Sequence, residues 1–296
     1  MKSILIIGYG KWAKKILNVI KKSKLFDKIY ITSRRNSFIF KNNFKRTIKI
    51  LPRYNKIDIL HVCSPITTHY KYLKKFLNHK CLIVEKPFLK SLNEMVKIHK
   101  NINKKNCRVI VNYIDLYNPI VNILKNKLKN KYSTVIFEYS DPKVYFKKKY
   151  LCIEDWIEHP LSLILFLFKK FTKFRITKKI FIRKKNNFLE KVEIEFMYEN
   201  ILVVIRINLN KEKTRKIYFF QKKELKLSVD LKKNKIVEKK ITIFSNSKIN
   251  SIVCLYKSGL SKKRTFYQSF NFYKKVLKER IGILNSLKNI TNHQSQ

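Results

Sequence analysis

The chain contains few small residues and few acidic ones. Its 296 residues include 4 glycines and a single alanine, Ala13. Acidic residues number 19 against 68 lysines and arginines, which gives a formal net charge of +49. Long apolar runs are also missing, since the run Leu161–Phe168 is far shorter than the roughly 20 residues of a transmembrane helix. No membrane association is therefore expected.

The excess of positive charge has two possible explanations. A selected basic surface would indicate a nucleic acid or an anionic membrane as partner. Here the lysines are dispersed along the chain, and the abundant Lys, Asn, Ile, Phe and Tyr are residues with AT-rich codons. No helix-turn-helix, zinc-finger or RNP-type motif accompanies the charge. The composition therefore favours a biased base composition of the gene, without a specific nucleic-acid partner.

The five cysteines indicate a reducing compartment, which we take to be the cytoplasm. Their number is odd, and they form neither a C-x-x-C motif nor a metal-ligand spacing. Three of them lie in or beside apolar runs, where a thiol behaves as a small hydrophobic group. The sequence therefore predicts no disulfide framework and no metal site. The cysteines are Cys63, Cys81, Cys107, Cys152 and Cys254.

The N-terminal stretch has the pattern of a nucleotide-binding turn. Ser3–Ile7 is an apolar run typical of a strand buried on both faces of a parallel sheet. Gly8-x-Gly10-x-x-Ala13 follows, and apolar residues then recur at helical spacing. In this context Gly8 permits the tight turn, Gly10 lets the backbone approach a pyrophosphate, and Ala13 lets the helix pack on the strand. Two glycines after a strand are also compatible with a simple turn.

The pattern of elements changes near residue 118. Before it, strand-like and helical segments alternate, which predicts parallel β-α-β units with ligands at the carboxyl ends of the strands. After it come a helix, a strand near Thr134–Tyr139 and a second helix. Successive strand-like segments joined by short polar turns then follow, which predicts an antiparallel sheet. We therefore expect an α/β protein with a Rossmann-type domain (1–118) and an α+β substrate or oligomerisation domain (119–296) that carries a mostly antiparallel open sheet.

Three segments have less definite patterns. Residues 36–56 suggest one strand, near Ile48–Leu51. The apolar residues of Ile236–Ile243 predict a single strand. A closing helix is predicted over about 262–287, with its apolar side formed by Phe266, Phe270, Tyr273, Val276 and Leu277.

Several motifs occur in an order that is typical of one family. They are Gly8-Tyr9-Gly10-Lys11-Trp12, Asp58–Pro65 with His69 four residues later, Glu85-Lys86-Pro87, Asn112–Pro119 and Asp155-Trp156-Ile157-Glu158-His159. Over residues 1 to about 168 the chain thereby resembles the glucose–fructose oxidoreductase/inositol dehydrogenase (Gfo/Idh/MocA) family. The resemblance implies an NAD(P)-dependent oxidoreductase that transfers a hydride between nicotinamide and a hydroxyl or keto carbon of a sugar, polyol or sugar nucleotide. It also implies a homo-oligomer paired through the open C-terminal sheet.

The resemblance further implies roles for individual residues. His159 would be the acid/base, a task that suits a histidine because its pKa lies near working pH. Asp155 would orient its ring or bind a substrate hydroxyl, and Lys86 would stabilise the developing alkoxide. Tyr113 would contact the substrate, and the Lys86–Pro87 bond is expected to be cis. The implied cofactor-binding residues are Gly8, Gly10, Lys11, Trp12, Ser33, Arg34, Arg35, Pro65, His69, Glu85 and Lys86.

Two departures from the family pattern leave an alternative open. Ile157 replaces the glycine of the D-x-G-x-H segment, and Ser162 replaces an acidic residue often found three positions after the histidine. His159 followed by Pro160 is also compatible with a simple helix start. A catalytically degenerate cofactor-binding or sensing module is therefore the alternative function.

The end of the second strand favours NADP over NAD. An acidic residue there would accept hydrogen bonds from the ribose hydroxyls and repel a 2′-phosphate. Here Ser33-Arg34-Arg35 follows the strand, and no acidic residue lies between Asp27 and Asp58. A hydroxyl and a guanidinium both pair with phosphate oxygens. Alternatively, the arginines are surface cations, with Arg34 stacked on the adenine of either cofactor.

Overall fold

The computed structural model describes thirteen segments of the chain. These are residues 2–34, 36–41, 44–48, 51–105, 107–128, 132–140, 156–168, 175–185, 188–198, 200–208, 212–245, 250–261 and 268–293. They divide into two compact units, Met1–Tyr117 with Asn250–Lys278, and Asn118–Ile249 with Glu279–Gln296. The sequence assigns all of 119–296 to the second domain, whereas in the structure Asn250–Lys278 packs with the first unit.

Strands and helices alternate in the first half of the chain, and strands predominate in the second. The strands are β1 (Ser3–Ile7), β2 (Lys28–Thr32), β3 (Ser37–Lys41), β4 (Phe44–Thr47), β5 (Ile59–Val62), β6 (Cys81–Val84), β7 (Arg108–Val111), β8 (Thr134–Ser140), β9 (Arg175–Lys185), β10 (Phe188–Tyr198), β11 (Ile201–Asn208), β12 (Thr214–Gln221), β13 (Glu224–Asp230), β14 (Lys235–Glu238) and β15 (Ile241–Ser245). The α-helices are α1 (Lys11–Ser23), α2 (Ile66–Phe76), α3 (Leu92–Lys105), α4 (Pro119–Lys127), α5 (Glu158–Leu167), α6 (Ser251–Leu260) and α7 (Phe270–His293), and short 3-10 turns occupy Tyr54–Lys56 and Ile114–Tyr117.

The first unit contains a sheet of seven described strands in the order β4-β3-β2-β1-β5-β6-β7. Strands β2, β1, β5, β6 and β7 run parallel to one another. The residues of β1, β5, β6 and β7 are buried on both faces, as expected for a parallel sheet between helices. In β2 only the alternate residues Ile29 and Ile31 are buried. The Rossmann-type parallel sheet predicted from the sequence is thereby confirmed.

An antiparallel hairpin extends this sheet beyond β2. Strand β3 pairs with β2, and β4 pairs with β3. The sequence suggested instead one strand near Ile48–Leu51, of which residues 49–50 lie outside the described segments. The strand forms earlier because the apolar run Phe38-Ile39-Phe40 can pair directly with the edge of β2.

Helix α6 belongs to the first unit and was not predicted. Its buried residues Ile252, Leu255, Tyr256 and Gly259 recur at helical spacing. A Cβ atom at Gly259 would lie 3.0 Å from Cδ1 of Ile59 in β5. The helix can therefore approach the sheet closely because this position is glycine.

The second unit contains a sheet of eight described strands in the order β15-β14-β13-β12-β8-β11-β10-β9. Neighbouring strands are antiparallel except for the parallel pair β8–β11. The mostly antiparallel sheet is therefore confirmed. The predicted single strand at Ile236–Ile243 is instead two paired strands, β14 and β15, with a turn at Lys239–Lys240.

Lysines occupy turn positions that normally favour glycine or asparagine. The φ angles of Lys222 and Lys223, between β12 and β13, are 48° and 70°. Those of Lys239 and Lys240, between β14 and β15, are 47° and 70°. Two-residue hairpin turns with positive φ at both positions usually contain Asn-Gly or Asp-Gly. The scarcity of glycine in the sequence therefore extends to backbone positions where glycine would be favourable.

Among the described residues, no helix combines the length and the apolar character needed to cross a membrane.

Candidate active site

Most of the sequence-predicted cofactor residues lie at one edge of the first sheet. Because β1, β2, β5, β6 and β7 are parallel, the residues that follow them share the carboxyl edge. These residues are Gly8 after β1, Ser33 after β2, Cys63–Pro65 after β5, Glu85–Lys86 after β6 and Asn112 after β7. Strand order reverses at β1, which has β2 on one side and β5 on the other, and ligands of open α/β sheets bind at such a point.

Gly8 adopts a conformation that requires glycine. Its φ is +106°, and its N–H donates to the carbonyl of Thr32 at 2.8 Å. A Cβ atom at this position would lie 2.9 Å from the carbonyl carbon and oxygen of Cys63. The turn after β1 therefore depends on the missing side chain.

Unlike Gly8, Gly10 has open space where a side chain would be. It is the N-cap of α1, with an extended backbone, and the carbonyl of Gly10 accepts from the N–H of Lys14 at 3.0 Å. A Cβ atom here would meet no described atom within 4 Å. The first turn of α1 contains no acidic residue and begins with the exposed Lys11. A bare helix N-terminus beside a glycine fits the pyrophosphate of a dinucleotide.

Glu85, the first residue of the E-K-P motif, is the centre of a buried hydrogen-bond network. Its Oε1 accepts from Nε1 of Trp12 at 2.5 Å and from Nδ2 of Asn112 at 2.6 Å. Nε2 of His61 lies 3.1 Å from the same oxygen. The network thus joins the first turn of α1 to β5, β6 and β7.

The charge of Glu85 is stabilised by these donors. Burial by itself raises the pKa of this carboxyl, but the hydrogen bonds from His61, Asn112 and Trp12 outweigh it and hold the pKa below its ordinary value of 4.5. Glu85 is therefore ionised at neutral pH. Because Oε1 of Glu85 is engaged with three protein groups, the carboxylate holds the cofactor turn together.

His61, Cys63 and Glu85 form a group with possible metal ligands. Their ligand atoms lie within 4.8 Å of one another, which the sequence did not indicate. Both ring nitrogens of His61 and Oε1 of Glu85 are, however, already engaged in hydrogen bonds. Burial and the nearby charge of Glu85 raise the pKa of the Cys63 thiol well above its ordinary value, whereas a metal ligand must be a thiolate. The geometry is therefore that of a satisfied polar network.

His69 connects the loops that follow β5 and β6. Its ring is buried, with Nε2 2.8 Å from the carbonyl oxygen of Ser64. Nδ1 lies 3.0 Å from the carbonyl oxygen of Pro87 and 3.1 Å from that of Phe88. The side chain therefore fixes the loop that carries Pro65 relative to the loop that carries Lys86.

Of the residues expected to contact the reacting groups, Lys86 is half-exposed. Its peptide bond to Pro87 is cis, as expected.

Tyr113, which was expected to contact the substrate, is 1% exposed and packs against the rings of Phe272 and Tyr273. The exposed Pro65 is the N-cap of α2.

The residues after β2 form a turn that leaves one arginine exposed. The hydroxyl of Ser33 donates to the carbonyl of Asn36 at 2.9 Å and accepts from the N–H of Asn36 at 3.2 Å. Arg34 is exposed. Arg35, the second arginine of the expected phosphate contact, lies outside the described segments.

His159 lies in the second unit, in an aromatic environment. It is in the first turn of α5, a helix whose residues are all buried. Its ring stacks against Tyr139 at a centroid distance of 6.0 Å and lies 5.6 Å from that of Trp156. The guanidinium of Arg215 is 5.5 Å from the Trp156 ring. Asp155, the expected partner of His159, lies outside the described segments.

The two departures from the family pattern have structural counterparts. Ile157 precedes α5 in a right-handed helical conformation, which needs no glycine. The hydroxyl of Ser162 donates to the carbonyl of His159 at 2.9 Å. This hydrogen bond lies within the helical turn that carries His159. Separately, Glu158 in the same turn forms a buried ion pair with Arg280 at 3.4 Å.

The sequence did not identify His61, Asn112 and Tyr256 as members of the site. The one local signal is a histidine in the middle of an apolar strand, since a buried imidazole needs hydrogen-bond partners. Its partner Tyr256 is 195 positions away, with the hydroxyl 2.5 Å from Nδ1 of His61. No local pattern predicts such a pair.

Comparison with known sequences finds a family match for the first part of the chain. Residues 2–113 match the family described as "Oxidoreductase family, NAD-binding Rossmann fold". No curated protein sequence is significantly similar to the chain. The parallel sheet and the glycine turn of this segment agree with the Rossmann fold that the family description names.

Solved structures share the fold over nearly the whole chain. UDP-N-acetylglucosamine 3-dehydrogenase GnnA from Acidithiobacillus ferrooxidans is 13% identical, with a TM-score of 0.74 and 95% of each chain covered. A dehydrogenase (MviM) from Clostridium difficile is 15% identical, with a TM-score of 0.76 over 96% of this chain and 99% of that one. KijD10, a 3-ketoreductase from Actinomadura kijaniata solved with NADP and TDP-benzene, is 11% identical, with a TM-score of 0.71 over 93% of this chain and 94% of that one.

Residues 2–113 therefore match the Gfo/Idh/MocA oxidoreductase family, which the ordered motifs of the sequence resemble.

Proposed function

We propose that this protein is an NAD(P)-dependent oxidoreductase that acts on the CH–OH or keto carbon of a sugar, polyol or sugar nucleotide. The observation that carries the proposal is the carboxyl edge of the first sheet, where the glycine turn and the Glu85-Lys86-Pro87 loop occur together. Gly10 and the open N-terminus of α1 suit a pyrophosphate. Nicotinamide, when bound, accepts or donates the hydride.

The chain's own residues would handle binding and the proton. The ammonium of Lys86 is a donor suited to a developing alkoxide. His159 would take the proton of the substrate hydroxyl. Asp155, four positions earlier in the sequence, would orient its ring or bind a substrate hydroxyl. Removing a general acid/base group typically costs about 10²–10⁴-fold in rate. We therefore expect His159→Ala and Lys86→Ala to lower turnover by at least ~10²-fold, with cofactor binding largely retained in His159→Ala.

The substrate class is inferred from similar proteins. GnnA is named as a dehydrogenase of UDP-N-acetylglucosamine, and KijD10 as a 3-ketoreductase solved with a TDP compound. A panel of nucleotide sugars with NADP and NAD, followed by the absorbance of reduced nicotinamide, tests the assignment. A His159→Ala variant with the turnover of the wild type would move the proton step to another group.

The alternative proposal is a degenerate cofactor-binding or sensing module of the same fold. It is favoured by Ile157 at the glycine position of the D-x-G-x-H segment. Such a module would bind a dinucleotide and turn over none of the panel. Restoration of activity by Ile157→Gly would distinguish an impaired enzyme from a module that has lost catalysis altogether.

Cofactor preference, assembly and location complete the proposal. We favour NADP(H), because Arg34 is exposed in the turn after β2 and the sequence has no acidic residue between Asp27 and Asp58. The Ser33 hydroxyl, which donates to the carbonyl of Asn36, would have to rotate to reach a 2′-phosphate. We expect a homo-oligomer formed through the second sheet, whose strand β15 exposes Ile241 and Ile243. We expect a reducing, cytoplasmic location, because the sequence has an odd number of cysteines and no C-x-x-C motif. Light scattering before and after Ile241→Lys tests the assembly.

A further inference from the structure

Helix α6, near the end of the chain, is hydrogen-bonded to the glycine turn at its beginning. Tyr256 of α6 is wholly buried, and its hydroxyl lies 2.5 Å from Nδ1 of His61. Nε2 of His61 lies 3.1 Å from Oε1 of Glu85, and this oxygen accepts from the indole of Trp12. A continuous line of hydrogen bonds therefore runs from α6 through β5 and the end of β6 to the first turn of α1.

We propose that Tyr256 and His61 are positioning residues of the cofactor site, which hold Glu85 and, through it, the indole of Trp12 beside the glycine turn. Trp12 follows Gly10 by two positions, and Glu85 directly precedes Lys86. Rotation of the Glu85 carboxylate would therefore disturb both the pyrophosphate turn and the Lys86 loop. The inference rests on the proposed function, because it takes this edge of the sheet to be the dinucleotide site.

Tyr256 matters because it satisfies the ring nitrogen of His61 that does not face Glu85. A carboxylate only accepts hydrogen bonds, so His61 donates to Glu85 through Nε2–H. With the proton on Nε2, the neutral ring accepts at Nδ1, and the Tyr256 hydroxyl supplies that donor. Without the hydroxyl, the buried Nδ1 loses this hydrogen-bond partner, and the ring can rotate away from Glu85 to find another. The orientation of the His61 ring is thus held from α6.

Tyr273 provides a matched control for Tyr256. It is also wholly buried in the first unit, in helix α7. Its hydroxyl donates to the carbonyl of Val109 and accepts from the N–H of Val111, both at 3.2 Å. These contacts are to the backbone of β7 and not to the Glu85 network. Tyr273→Phe therefore removes a buried, hydrogen-bonded hydroxyl and leaves the hydrogen bond between His61 and Tyr256 in place.

The orientation of Trp12 can be measured directly. The chain contains 2 tryptophans, so Trp156→Phe leaves Trp12 as the only one. In this background we expect Tyr256→Phe to raise the quenching of Trp12 by acrylamide and to weaken NADPH binding by about 10-fold, the scale of leaving one buried group unpaired. Tyr273→Phe should leave both quantities at their background values. His61→Gln, which keeps an amide donor, should weaken binding less than His61→Leu.

Equal effects of Tyr256→Phe and Tyr273→Phe on Trp12 quenching, or no effect of either, would overturn the proposal. If Tyr256→Phe does not fold, the two His61 variants decide, and equal quenching in His61→Gln and His61→Leu counts against positioning. Failure of the proposed function is separable, because it appears as a wild type that binds neither NADPH nor NADH. The quenching of Trp12 still tests the positioning role in that case.

Discussion

Substituting the two glycines of the first turn separates folding from binding. For Gly8→Ala, an L-residue must adopt a φ of +106°, which costs about 1–3 kcal/mol. The added Cβ also lies 2.9 Å from the backbone of Cys63, and overpacking of this kind costs about 1–3 kcal/mol. We therefore expect Gly8→Ala to lower the free energy of unfolding by about 2–6 kcal/mol.

Gly10→Ala should have the opposite profile. Its φ of −78° suits alanine, and the new Cβ meets no described atom within 4 Å. The free energy of unfolding should fall by less than about 1 kcal/mol, the usual effect of alanine at an N-cap. The methyl group would, however, occupy the surface that the pyrophosphate approaches. We expect the dissociation constants of NADPH and NADH to rise by at least ~10-fold, which corresponds to 1.4 kcal/mol of lost binding.

Urea unfolding and calorimetric titration with both dinucleotides measure the two effects on the same samples. The expected Gly8→Ala result is a Tm lower by roughly 5–20 °C for a domain of this size. A Gly10→Ala variant with wild-type affinity for both dinucleotides would refute the placement of the pyrophosphate at this turn. A Gly8→Ala variant as stable as the wild type would refute the steric reasoning.

Three further predictions follow from other contacts. The double variant Lys222→Asn/Lys223→Gly should raise the free energy of unfolding by about 1 kcal/mol, because positive φ is unfavourable for lysine. The control Lys216→Gly, inside β12, should lower it by about 0.5–1 kcal/mol, and urea unfolding measures both. Glu85→Gln should destabilise the protein by about 1–3 kcal/mol at neutral pH. Because the pKa of Glu85 in the folded protein lies below 4.5, the stabilisation by its charge is complete above the pKa of the unfolded chain and is lost as the pH falls through the folded pKa. The unfolding free energies of the two proteins should therefore converge in acid, and a constant difference would contradict the assignment. Ser33→Asp should shift preference from NADPH towards NADH by roughly 10-fold or more, and tighter binding of NADH than NADPH by the wild type would remove the basis for an NADP site.

The parts of the fold that follow local patterns were predictable from the sequence. The strand Ser3–Ile7, the glycine turn and α1 are adjacent in the chain, so periodicity identifies all three. Helix α6 was missed although Ile252, Leu255 and Tyr256 recur at helical spacing and Asn250 caps the first turn. Its β-branched residues and Gly259 weaken the helical propensity, and packing against the sheet compensates.

The candidate site was predictable only where motifs are contiguous. The positions of Gly8, Gly10 and Glu85 at the carboxyl edge follow from strand ends that the sequence already marks. The three donors to Glu85 come from α1, β5 and the end of β7, and Tyr256 comes from α6. Such contacts depend on how distant strands and helices pack, which one sequence does not specify. For the same reason the burial of Tyr113 and the aromatic surroundings of His159 were not predicted.

Transfer of deuterium from nicotinamide labelled at its reactive carbon tests the central claim most directly. The purified protein is incubated with labelled NADPH or NADH and the 3-keto forms of nucleotide sugars, and the products are analysed by mass spectrometry. We expect deuterium on the newly formed CH–OH carbon, with the transfer reduced by at least ~10²-fold in His159→Ala. Labelled cofactor that binds to the wild type but keeps its deuterium with every keto sugar would contradict the assignment as an oxidoreductase.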